Sequence, residues 1–379
     1  MNPIFPVLLG LVSLALQSSA ADIIVGPQHD VSDLQTAVSL AQDGDRILVE
    51  PGNYLGDVAI NKSITMLPMQ EGTRYTVQGR VYLGGASGKR VVLSGIRVLT
   101  SIDFQATLSD RLDLIMVDSY LLSFQNTVNQ TLLRVEMYRD TLVQGGPDFR
   151  SCAIIGCHIM ETHTQGLQTL SIQTSSLPDE NHIVGNVFHH VFELATAITV
   201  NAPNRPFHIE NNLAIGEGQF IALSGGGGLN APMAICTISN NTIVDQSNDG
   251  VGPLITGSTF YYKVIVLNNA RIGTGNVAAL SSISALFMTA SNNLVAAPTA
   301  VNTTTGLPVP GSPLIDVGDP DPRYLDLDLT TNDVGCYGGS NSLANFTTPM
   351  GSAVVGYMRA PRIVSQGAPV NISAVGFDR

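Results

Sequence analysis

Apolar residues in this chain come in short runs that stop at Gly, Asn or Asp and then resume. The segments IVGNVF, IENNLAI, ISNNTIV, VLNNARI and ASNNLVA repeat one design, in which a polar corner separates two apolar runs. The last Asn of each corner is Asn186, Asn212, Asn241, Asn269 and Asn293, so the spacing stays between 24 and 29 residues. Earlier cycles keep the shape without the Asn, near Gly95, Asp118, Asp140 and Cys157. A period in the twenties marks a solenoid, whose repeats bury their apolar face only by stacking on one another. Within each period the runs are β-type, and no long stretch follows helical spacing. Helical-pair and leucine-rich solenoids are therefore excluded. What remains is an all-β parallel β-helix, with coils over residues 46–298.

The repeated Asn has a physical reason. Asn tolerates the left-handed backbone that a sharp corner needs, and its amide can bond both its own turn and the Asn one coil away. Stacked Asn side chains then form an inward ladder whose polar groups satisfy each other, as burial demands. Repeated Gly supplies corners where a side chain would clash.

Both ends of the solenoid need covers, because a bare first or last coil exposes core and open strand edges. In the region 22–45 the spacing predicts a short amphipathic helix over 32–42, with Asp33 in its first turn and Leu34, Ala37, Val38 and Ala41 on one face. The Pro/Gly/Asp-rich stretch 299–345 reads as an irregular cover over the last coil. Beyond it, 346–379 alternates like two strands joined at Gly367, a tail module or docking segment.

Composition narrows the class. Charged residues are 13% of the chain and the formal net charge is −12, so no basic cluster exists to bind a nucleic acid. The opening run 4–16 is apolar and is followed by Ser18 and Ala20, the pattern of a secretory signal peptide over 1–20. It is too short to span a bilayer, and no later segment is long and apolar enough to do so. Cys152, Cys157, Cys236 and Cys336 show no C-x-x-C spacing and read as small buried hydrophobes. Sequons at Asn61, Asn129, Asn240, Asn302, Asn345 and Asn371 matter only in a glycosylating source.

The block LQTAVSLAQDGDRILVEPGNYLGDVAINKSITML resembles the opening of pectin-lyase-like right-handed β-helix proteins: helix, Asp-Gly-Asp, strand, Pro-Gly-x-Tyr, then an I-x-K-x-I-T run. The block SPLIDVGDPDPRYLDLDLTTNDVGCYGG resembles the closing signature of many secreted bacterial β-helix repeat proteins, with Cys336 where Ala is more usual. The resemblance covers about residues 22–340 and implies a right-handed parallel β-helix and an extracellular setting. It implies no one reaction, because the fold hosts lyases, hydrolases, esterases, epimerases and adhesins.

The catalytic signatures of those relatives are missing. Neither Asp-Asp nor Gly-His-Gly is present for a polygalacturonase, and no Arg-x-Pro-x-x-Arg for a pectate lyase. The epimerase Asp-Pro-His-Glu is also missing. YRDTLVQGGPDFR echoes two pectin methylesterase motifs at Asp140 and Asp148, but Arg139 replaces Gln and the chain has no Trp for the third.

The coil period brings further residues into line. Asp118, Asp140 and Glu161 lie about one period apart and would stack as an acidic column, with Arg134, Arg139 and Arg150 nearby. Such a column suits calcium or a uronate, with Arg139 as base or clamp, or else solvated charges at corners. His158, His163, His182, His189 and His190 crowd into two coils, as a site or as corner hydrogen bonders. SGGGG at 224–228 lacks the Lys-Ser/Thr of a phosphate cradle and reads as a loop. Asp316, Asp319, Asp321, Asp326 and Asp328 form an acidic loop, for which calcium is the one candidate cofactor.

These readings predict an extracellular or cell-surface β-helix that binds an extended polysaccharide or glycan or serves as an adhesive scaffold, without classical catalysis. A polysaccharide lyase or carbohydrate esterase using the acidic column, and a purely architectural surface module, are the alternatives.

Overall fold

The computed structural model describes residues 20–346 except 84, 86, 105–106, 126, 128–129, 145–146, 161–169, 191–195, 226–234, 248–251, 261 and 281–287, and beyond them 354–359, 369–370 and 372–377. Glu161, His163, most of the glycine loop and the signal segment fall outside these residues. The chain winds as a right-handed parallel β-helix with three sheet walls. Sheet A has twelve strands, sheet B thirteen and sheet C six, and each strand pairs in parallel with the strand one coil away. Sheet C starts at Asp148–Phe149, so the earlier coils lack this third wall among the described residues.

Alternation along each strand fills the interior. Val135, Cys152, Ile209, Cys236 and Val264 of sheet A, Ile159, Phe188, Ala214 and Ile243 of sheet B, and Phe149, Ile172, Val200 and Leu223 of sheet C form one continuous apolar core. Phe188 and Phe220 meet edge to face at 5.7 Å, as do Phe207 and Tyr262 at 5.8 Å.

The opening helix is α1 (Leu34–Leu40), shorter than 32–42 because Asp33 is its N-cap: the Asp33 carboxylate accepts the Thr36 N–H at 2.8 Å. Leu34, Ala37 and Val38 are buried in the core cluster that continues into the first coils. Three motif residues complete this lid. Asp45 accepts from the backbone N–H of Ala21 at 2.9 Å and of Gln42 at 2.7 Å. The Tyr54 hydroxyl donates to the Glu50 carbonyl at 2.9 Å. The Lys62 ammonium donates to the carbonyls of Val38 and Ser39 at 3.0 and 2.7 Å, and to that of Ala41, satisfying acceptors a helix end leaves open.

At the corners between sheets A and B the two Asn of each pair do different work. The left-handed residue is the first, with φ of 54°, 54°, 55° and 52° at Asn211, Asn240, Asn268 and Asn292. The second points inward and builds the ladder: the amides of Asn186, Asn212, Asn241 and Asn269 donate to the next side-chain carbonyl at 2.9, 2.9, 2.9 and 2.8 Å. The predicted column exists, but its left-handed corners belong to the residue before it. Earlier coils put Cys157, Asp140 and Ser119 in the same file: the Cys157 N–H donates to Asn186 Oδ1, the Asp140 N–H to Cys157 Sγ, and the Ser119 N–H to Asp140 Oδ1.

The stretch 299–345 does not stop at the last coil. It returns along the outside of the corners as a strap, and the first Asn of each pair holds it. Asn240 Nδ2 donates to Asn332 Oδ1 at 2.7 Å and the Asp333 carbonyl at 3.0 Å. Asn211 Nδ2 donates to the carbonyls of Cys336 at 3.1 Å and Gly338 at 2.6 Å. Leu314, Val334, Cys336 and Leu343 bury the outward side chains Leu213, Ile215, Val244, Ala270 and Ile272 of sheet B. Further along, Phe346 lies over Gly185, where an added Cβ would fall 2.1 Å from its ring; Gly185 stands where other coils carry Asn because the strap's aromatic ring occupies that space. The tail is an antiparallel hairpin of Val354–Arg359 and Ser373–Phe377, and Tyr357 joins Phe346 over Ile115, Val117, Tyr138, Ala153 and Ile155 on sheet A.

Candidate functional site

The structure breaks the predicted acidic column. Asp118 occupies a left-handed corner at φ 50°, whereas Asp140 is one position further on, at the ladder site, so the two point in different directions. Asp118 is 1% exposed and bonds Arg139 Nη2 at 2.6 Å. Asp140 is 0% exposed; its carboxyl accepts from the N–H of Ser119 at 2.6 Å and of Tyr138 at 3.0 Å. Burial pushes its pKa up to about 8 against the pull of those two donors. Both carboxyls belong to the wall, and a polymer in solvent reaches neither. Arg139 is spent on Asp118 and is not a free base, and Glu161 lies outside the described residues.

The acidic loop is also committed to the strap. Asp319 accepts from the Asp321 N–H at 3.0 Å, Asp328 from Thr330, and Asp326 from the N–H of Asp333 at 3.0 Å and from that of Gly339. The Arg323 guanidinium holds Asp321 down to about 2. Among the described residues no three or more His, Cys, Asp or Glu side chains are arranged to hold a metal ion, so the carboxylates of Asp316, Asp319, Asp321, Asp326 and Asp328 do not converge as a cage.

The histidines separate onto two faces. His158 and His189 lie on sheet B, in strands His158–Met160 and Val187–His190; the His190 side chain is outside the described set. His182 and His208, neighbours in register on sheet A, stack at 5.0 Å. His208 Nδ1 is 2.8 Å from Thr237 Oγ1, which donates its single proton to Glu210 at 2.8 Å, so Nδ1–H of His208 is the donor to Thr237. Asn341 of the strap reaches Glu210 at 3.2 Å, and Tyr357 of the tail lies 5.9 Å from His182. This polar cluster fastens the C-terminal segment to sheet A. Asn240, whose side chain is buried under the strap, is likewise no open acceptor for glycosylation in the folded chain.

With sheets A and B partly covered, sheet C remains. Among the described residues the contacts of the C-terminal segment fall on the other two walls. Its positions in register are Asp148, Ser171, Thr199, Ala222, Thr256 and Ala279, one per coil and about 4.8 Å apart; Ser171 is buried and the other five reach solvent. Gln173 reaches back to Asp148 at 2.9 Å and Ser171 at 3.2 Å. The Gln219 amide joins Thr196 at 3.2 Å on one side and Thr256 on the other. Thr199, Ala222, Thr256, Gln173 and Gln219 are half-exposed. The result is a straight strip of hydroxyls and amides, interrupted by Ala222 and ended by Ala279, with hydrogen bonds among its own members and no large apolar side chain at its described register positions. Sequence reasoning singled out only Asp148 and Arg150 here, since threonines and glutamines on short strands carry no motif.

No family model matches the chain, and no curated protein does. Among solved structures it is similar to one described as the crystal structure of pectate lyase Pel9A, with 13% identity and a TM-score of 0.42 over 84% of this chain and 96% of that one.

Proposed function

We propose that the protein binds an extended polysaccharide along the outer face of sheet C, outside the cell or at its surface, and does so without catalysis. The observation that carries this is the strip itself: along six coils in one register the polar side chains of Asp148, Thr199 and Thr256, flanked by Gln173 and Gln219, alternate with the small Ala222 and Ala279, on the wall where the described residues of the C-terminal segment make no contact. A regular array matches a regular ligand, and hydroxyls and amides both donate and accept, as sugar hydroxyls do. A second reading is favoured by the tail, whose Val355 and Met358 are 61% and 62% exposed: an architectural module whose hairpin docks on a larger assembly.

Affinity electrophoresis of the full chain through gels containing soluble polysaccharides tests the first reading. Ala222→Gln adds bulk at the middle of the strip without charge and is expected to weaken retention at least about tenfold. Arg97→Gln, on the exposed part of sheet B, serves as control and leaves it unchanged. Equal retention of both variants would refute the placement of the site.

A further inference from the structure

The chemical class of the polymer can be read from the charges around the strip, an inference that rests on sheet C being the binding face. We infer that the ligand is a neutral glycan, and that polyuronates are excluded.

A polyanion needs cations that are free to meet it. Among the described residues the charged groups in or beside the register are Asp148 and Arg150, one of each sign. Arg150 is turned along the wall, where its Nη1 donates to the Thr174 carbonyl at 2.8 Å. Arg205, in the connection that leaves the sheet after Asn201, donates through Nε to the Leu177 carbonyl at 2.7 Å. Arg271 lies in the interior, 0% exposed, and pairs with Asp245. After the strand Ile255–Phe260, Lys263 begins the next strand, Lys263–Leu267, on sheet A rather than on the strip. Glu217 adds another acid just before the strand Gln219–Gly225. With a net charge of −12 over the whole chain, the long-range field repels a polyanion, and at short range the strip sets the half-exposed Arg150 guanidinium against the Asp148 carboxylate two residues away, so it carries no net positive charge to clamp one.

What the strip does offer is neutral. Gln173, Thr199, Gln219 and Thr256 present groups that donate and accept, and the chain has no Trp for strong stacking. Recognition by many weak hydrogen bonds accumulates with length. Affinity is therefore expected to rise with oligosaccharide length until the ligand spans the six strands, about 24 Å.

The test compares the full chain against neutral glucans, mannans, xylans and galactans and against polygalacturonate and alginate, with and without calcium, at low salt and at about 0.5 M salt. Expected are retention by a neutral polymer that changes less than about twofold with salt, and none by either polyuronate. In the same assay Thr199→Lys, which places a cation mid-strip, is expected to gain salt-sensitive retention by polygalacturonate. Tighter binding of the unaltered chain to a polyuronate, lost in Ala222→Gln, overturns the neutral class while leaving the face in place. No gain in Thr199→Lys also counts against the charge argument. Binding to no polymer in either group overturns the face itself.

Discussion

Removing one rung tests the ladder quantitatively. Asn241 sits mid-file, 0% exposed. Its Nδ2 donates to Asn269 Oδ1 and to the Ile209 carbonyl, each at 2.9 Å, and its Oδ1 accepts from Asn212 N at 3.0 Å and Asn212 Nδ2 at 2.9 Å. In Asn241→Ala four hydrogen bonds vanish. Asn269 Oδ1 keeps the Asn241 N–H as a donor, at 3.0 Å, but the Ile209 carbonyl loses this donor, and the Asn212 N–H and one amide hydrogen of Asn212 lose their acceptor inside the wall. Each buried polar group left without its partner costs about 1–3 kcal/mol, so three of them put the loss at roughly 3–6 kcal/mol after partial relaxation. Asn293 closes the file and is half-exposed, so water can replace its partners; Asn293→Ala should cost about 1–2 kcal/mol. Urea denaturation followed by circular dichroism, with native-state hydrogen exchange of the neighbouring amides, measures both. Equal losses for the two variants, or a loss under about 1 kcal/mol for Asn241→Ala, would refute the claim that mutual satisfaction of the amides holds the coils in file.

Four further outcomes follow from named contacts. Asp140 has a folded pKa raised to about 8, so its burial is harmless while protonated and becomes destabilising as pH rises from the unfolded value toward 8, by up to about 1.4 kcal/mol per unit; wild-type stability should fall between pH 6 and 8, and Asp140→Asn should remove that slope. Arg271→Met leaves Asp245 as an unpaired buried acid and should cost about 3–5 kcal/mol by denaturation, with much of it recovered in the double variant carrying Asp245→Asn. Asn240→Ala loses the strap anchors and keeps a left-handed φ of 54°, so limited proteolysis should cut within 299–346 faster while the coils stay resistant. Cys152, Cys236 and Cys336 have pKa values pushed up to about 12 by burial, so thiol reagents should modify them only after denaturation.

How far the sequence was legible depends on range. The corner pairs recur at constant spacing, and each ladder bond joins neighbours 24 to 29 residues apart, so the coil count and ladder of the later half could be read directly. The roles within a pair could not, because Asn suits both a left-handed corner and an amide stack. Earlier coils deepen the ambiguity: Asp118 and Arg139 take the corner and Ser119 and Asp140 the file, so aligning the two Asp residues sets the register one position wrong. The strap was hidden for another reason. Its anchors at Asn240, Asn211 and Glu210 join residues 92 to 131 positions apart, and no local pattern encodes such a meeting. Arg271 was masked by its place in the repeat, where register puts it beside Ile243 and Val295 and its partner Asp245 sits a coil away. The strip on sheet C became visible only once the covered walls were known.

Deuterium uptake in the presence and absence of a bound polysaccharide tests the account most directly. Slower exchange is predicted along Leu170–Ile172, Thr196–Asn201, Gln219–Gly225 and Ile255–Phe260, with sheets A and B unchanged. Protection confined to the strap, the tail hairpin or the outer face of sheet B, with those four strands unaffected, would contradict it.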